Sequence, residues 1–204
     1  MKSSLRSMSK SRTALAIVLS ISLIATACSA QWISVALADL PALTQMALNI
    51  GTIITTLESG QQINSTEAAA IQNISAQASK DLNLLATLYN EYKANPTTSS
   101  LQKIQSAIAD INQSLPALLQ AAHISDPILS ARVTAGVNLI LTTVASFAAL
   151  IPQTTSLSAA RPAAEQAAQK VPGVTELKKQ WNQQVCGPTG NSALDFSATG
   201  CIVR

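Results

Sequence analysis

Four side chains carry most of the reactive chemistry available to this chain: the thiols of Cys28, Cys186 and Cys201 and the lone imidazole of His123. A thiolate can act as a nucleophile, bind a soft metal or pair into a disulfide, and each use requires particular neighbours. The spacing supplies few of them. No two cysteines stand two apart, and no His-Glu-x-x-His, Gly-x-Ser-x-Gly or Cys-x-x-Cys-His string occurs. The 10 acids are scattered singly, and 7 glycines form no phosphate-cradling loop. His123 falls where a helix ends, a place where an imidazolium is favoured by the helix dipole without any catalytic role. No catalytic residue, metal ligand or cofactor is therefore expected, and the chain reads as non-enzymatic.

What the thiols do depends on the compartment, and the N-terminus addresses that. Lys2, Arg6, Lys10 and Arg12 precede an uncharged apolar run, Leu15 to Cys28, which closes on the small residues Ala25, Thr26 and Ala27. A cationic start, an apolar centre and a small-residue end make a secretory signal. Small residues directly before a cysteine resemble the cleavage box of bacterial lipoproteins, with Ala25 standing where Leu is commonest. The resemblance covers the first 28 residues only. It implies removal of residues 1–27, acylation of Cys28 as the new N-terminus, and attachment to the cell envelope. Ser29 in the next position, rather than Asp, suits an outer-membrane or periplasmic-face location if the source has two membranes. Other readings of the same residues are ordinary cleavage after Ala27 or Ala30, and retention of the uncharged stretch from Thr13 to Ala38 as an anchor.

Cysteine arithmetic bears on that choice. With Cys28 on lipid, or lost by cleavage after Ala30, Cys186 and Cys201 remain as an even pair for an oxidising compartment. A bridge between them would close a loop of about 15 residues and stabilise the tail by roughly 3 kcal/mol in the chain-entropy model.

Removing the signal also changes the charge. The whole chain has 13 Lys plus Arg and a net charge of +3; without the four leading cations the remaining 9 face 10 acids, close to −1. A clustered basic face for nucleic acid has no support. Charged residues are 11% and aromatics 3%, so neutral polar groups must solvate the surface while Leu, Ile and Val fill the core.

The periodicity is helical throughout. A first helix is expected from Leu40 to Leu57, with Asp39-Leu40-Pro41 as either a capped start or a kink, and Gly60 as its end. The second opens at Asn64, with Glu67 three residues on as a reciprocal cap, and runs to Ala94 before Asn95-Pro96. Its seam is Ile71, Ile74, Ala78, Leu82, Leu85, Tyr89 and Tyr92. The third carries Leu101, Ile104, Ile108, Ile111, Leu115, Leu118 and Ala122 at threes and fours, and Pro116 inside it should bend rather than end it. Asp126-Pro127 starts a fourth. Its 19 uncharged residues, Val133 to Ile151, meet the length of a membrane span, but Thr134, Asn138, Thr142 and Ser146 form a polar stripe that favours a buried helix of a water-soluble bundle. A short last helix places Val174, Leu177, Trp181 and Val185 on one side.

The expected architecture is all-α: an antiparallel bundle of about four long helices, a short C-terminal helix and a disulfide-closed tail. The organisation is 1–27 signal peptide, 28–158 bundle and 159–204 extension with the Cys186 to Cys201 loop. The expected role is a structural or adaptor element of the envelope, held at the membrane through acylated Cys28, with a protein partner or a second copy and no nucleic acid. Two other classes stand beside it. One is a membrane-inserting, pore-like protein using Leu40–Leu57 and Val133–Ile151. The other is a small-molecule binder with Tyr89, Tyr92 and Asn138 between helices. Trp32, four residues past Cys28, is expected either at headgroup level or packed on the end of the bundle.

Overall fold

The computed structural model of the protein describes residues 32–53, 64–151 and 171–187. Within them the chain is all-helical, with five helices and no strand: α1 Trp32–Ile53, α2 Ser65–Ala94, α3 Thr98–Ala121, α4 Pro127–Leu150 and α5 Val174–Gln184. The proposed signal, Cys28, Cys201 and residues 159–170 lie outside the described residues.

The helix starts obey local chemistry. Asn64 caps α2 by accepting from the Thr66 amide at 3.0 Å. Asp126 caps α4 by accepting from the amides of Ile128 and Leu129, and Pro127 follows in the first turn, where its missing N–H costs nothing. At α3 a reciprocal pair forms between Thr97 and Ser100. Each such cap is worth about 1 kcal/mol.

Two expectations at helix starts are overturned. α1 is already helical at Trp32, so Leu40 is not a fresh start, and Asp39 and Pro41 sit inside a continuous helix, where the kink reading had them. Trp32, Ile33, Ala36, Leu40 and Leu43 extend the same buried seam upstream, and that packing outweighs the hydrogen bond lost at Pro41. Glu67 does not complete the cap of α2. Its carboxylate instead accepts from the Ser125 amide at 3.0 Å and from the Ser125 hydroxyl, joining the start of α2 to the approach of α4.

The seams of α2 and α3 face inward as their spacing predicts, from Ile71 through Tyr89 and from Ile104 through Leu115. Pro116 leaves α3 intact to Ala121. α4 buries Val133, Val137, Ile140, Val144 and Phe147 and turns Asn138 and Thr142 outward. Within the polar stripe, the Ser146 hydroxyl donates to its own helix at the Thr143 carbonyl, 2.6 Å away. All five helices contribute to one apolar core.

Contacts along the helices give their relative directions. Trp32 at the start of α1 meets Tyr89 and Tyr92 near the end of α2, while Ser75 in α2 donates to the Ala47 carbonyl at 2.7 Å, so α1 and α2 run oppositely. Gly51 lies beside that bond: a Cβ there would stand 2.9 Å from the Ser75 Oγ. Gly51→Ala therefore displaces a buried, bonded hydroxyl. The loss, roughly 1–3 kcal/mol, exceeds the gain of roughly 0.5–1 kcal/mol from helix propensity. Denaturant unfolding should show net destabilisation, and a more stable variant would contradict this packing.

His123 follows the end of α3 at φ 45°, the left-handed region that favours glycine. Because the exposed side chain is not part of the core, His123→Gly should stabilise the fold by roughly 1 kcal/mol, read as a higher thermal midpoint.

Candidate functional site

Two buried charges and one large aromatic ring define the most unusual chemistry among the described residues, and all three concern α5. Asp39 in α1 is 2% exposed and Arg132 in α4 is 6% exposed, yet both sit within apolar seams. Each is turned to the backbone of the C-terminal segment. Asp39 accepts a hydrogen bond from the Val174 amide, the first residue of α5. Arg132 donates through Nη2 to the Gly187 carbonyl at 3.0 Å, just past the end of α5. An anion at a helix N-terminus and a cation beyond its C-terminus both oppose the helix dipole favourably. Gly173, the residue preceding α5, has no side chain to offer, and the cap comes from another helix instead.

Between these ends Trp181 fills the centre. Its ring is 0% exposed and lies over Gly136 of α4, where a Cβ would meet Trp181 Cζ3 at 3.1 Å and Ile50 Cγ1 at 3.3 Å. The glycine is there because the indole approaches the α4 backbone this closely. Val174 to Asp39 and Trp181 to Ile50 together make α5 run alongside α1 in the same direction.

Burial raises the Asp39 pKa from 3.8 to about 6, and the Val174 hydrogen bond only partly offsets this. Its Oδ2 has no hydrogen-bond partner. The other orphaned groups are Trp181 Nε1, Ser114 Oγ, Trp32 Nε1 and Tyr89 Oη. The last two belong to an aromatic cluster: Trp32 and Tyr89 with centroids 5.6 Å apart, Trp32 and Tyr92 at 5.8 Å, and Tyr89 and Phe147 at 6.4 Å. Desolvation pushes the Tyr89 phenol well above its usual range. Trp32 is thus packed on the end of the core and not held out at a surface.

Of the polar trio expected between helices, Tyr89 and Tyr92 both touch Trp32, but Asn138 is exposed on α4, nine residues and about 13 Å along the axis before Phe147. The structure does not bring the three together. No group of three His, Cys, Asp or Glu side chains converges among the described residues.

Cys186 is half-buried against the core and disulfide-bonded, with its partner outside the described residues. Asp39 and Arg132 escaped notice in the sequence as functional or structural anchors. The available signal was isolation: each is a single charge beside a long uncharged stretch of apolar periodicity. Compared with known proteins, the chain matches no family, no curated protein and no solved structure.

Proposed function

We infer that the protein is a lipid-anchored, non-enzymatic element of the bacterial cell envelope: an antiparallel bundle of four long helices with α5 and a disulfide-closed tail, acting as a structural or adaptor domain. Support comes first from the Leu15 to Cys28 segment and its small-residue box. The observation that carries the reading concerns the thiols. Trp181 lies level with Ile50, 18 residues or about 27 Å along α1 from Trp32, and Cys186 lies further on in the same direction. Cys28 is four residues before Trp32 and can reach no more than about 14 Å from it. That span supports Cys201 rather than Cys28 as the partner of Cys186, a pairing that leaves the Cys28 sulfur available for a thioether to lipid.

The apolar length of α1 and α4 keeps a second reading in play, because both are long and apolar enough to cross a membrane. Against it stands the shared interior: about half of the most apolar stretch of each is buried against the other helices. Asn138 and Thr142 face outward on α4, where lipid would have to accommodate them.

One substitution separates these readings. Cys28→Ser should move the protein from the membrane fraction to the soluble fraction, with its helical circular dichroism unchanged. A Cys28→Ser protein that has lost its signal segment, as read by N-terminal mass spectrometry, yet stays in the membrane pellet through alkaline carbonate would instead establish insertion by α1 and α4.

A further inference from the structure

Anchoring at Cys28 fixes more than attachment, because the tether is short and one end of the domain receives it. We propose that the end of the domain formed by the α2–α3 turn and the first turns of α3 is a docking surface for lipid headgroups, held against the bilayer that carries the Cys28 acyl chains. The inference rests on the anchoring proposed above.

The tether sets the distance. Four residues separate Cys28 from Trp32, at most about 14 Å of chain. Fraying of α1 cannot lengthen it cheaply, since Trp32 is 6% exposed and its indole is held by Tyr89 and Tyr92. Tyr92 in turn lies three residues before Asn95, where α2 ends and the chain turns into α3. The opposite end of α2, with Asn64 and the Glu67 to Ser125 link, is about 43 Å away along a helix of 30 residues. The turn is thereby the part of the domain brought to the membrane, and the far end is carried away from it.

The chemistry of that end suits a headgroup layer. Lys93 and Lys103 are exposed here against one exposed acid, Glu91, and Asn95, Thr97, Thr98 and Ser99 present amide and hydroxyl groups beside them. The far end carries Glu67 and Asp126 instead. Lysines near an anionic surface gain from its potential, within a Debye length of the lipid. Hydroxyl and amide donors can bond phosphate and ester oxygens. The charge polarity of the domain thus points the same way as the tether.

The test uses the acylated full-length protein in phosphatidylcholine/phosphatidylglycerol vesicles containing headgroup-labelled nitroxide lipid. A fluorophore is placed by Ser99→Cys at the turn or by Ser65→Cys at the far end, both exposed positions. Strong quenching at Ser99 with none at Ser65, in protein that floats with the vesicles, is the expected result. Equal quenching at both sites, or quenching at Ser65 alone, in floating protein overturns the orientation and leaves the anchor standing. Protein that fails to float overturns the anchor and the docking surface together.

Discussion

Trp181→Ala should lower the unfolding free energy by about 3–5 kcal/mol, the largest effect of any single truncation considered. The ring is fully buried between α4 and α5, and no smaller side chain can fill the space over Gly136. The indole N–H has no partner, so its removal breaks no hydrogen bond and the cost is that of the cavity. That distinction makes a second variant informative. Trp181→Phe loses ring area but also removes a buried donor whose desolvation costs roughly 1–3 kcal/mol, so it should lie much closer to wild type. Denaturant melts of the two variants check this. Similar large losses in both would mean that the N–H is bonded after all.

Asp39→Asn should stabilise the protein at neutral pH, because it removes a charge that burial disfavours. The acid is held in α1 by the packing around it, and its charge is not compensated by an ion pair in the described residues. Its folded pKa of about 6 lies above the unfolded value of 3.8, so the native state binds the proton more tightly. This contribution penalises folding in full above pH 6, is relieved as pH falls through the window from 6 to 3.8, and is absent below it. Asn keeps an oxygen for the Val174 amide and removes the titration. Wild type and variant should therefore converge in thermal midpoint on acidification from pH 7 to pH 4, the variant being the more stable at pH 7. A difference independent of pH would show that Asp39 is not the titrating group.

What could be read from residue order was whatever local geometry decides. The seam from Ile71 to Tyr89 and that from Ile104 to Leu115 repeat within each helix, so burial followed spacing directly. Asp126-Pro127 and Asn64 are caps that bond to amides two or three residues away, and they behave as their types require. Glu67 has the same local signature but bonds to Ser125, 58 residues later, because the α3–α4 connection reaches it first. Such a choice depends on packing and leaves no trace in a three-residue spacing. Asp39 followed similar logic. Beside Pro41 it looks like the start of a helix, yet it caps a different helix from within its own. The early start of α1 was visible in principle, since Trp32, Ile33, Ala36 and Leu40 continue the seam. The uncharged run of the proposed signal flows into it without a charged boundary, and periodicity marks no edge there. The grouping of Tyr89 and Tyr92 without Asn138 depends on how α4 is rotated, and a stripe read from one helix does not say which neighbour it faces.

The three thiols remain the point on which function turns. Intact-mass and N-terminal peptide mass spectrometry of the protein purified from membranes reads the cleavage site, the acyl state and the disulfide in one sample. The account predicts a chain beginning at Cys28, carrying acyl groups, with Cys186 joined to Cys201. A chain that still begins at Met1, one that begins at Cys28 without lipid, or one that begins at Gln31 would contradict it.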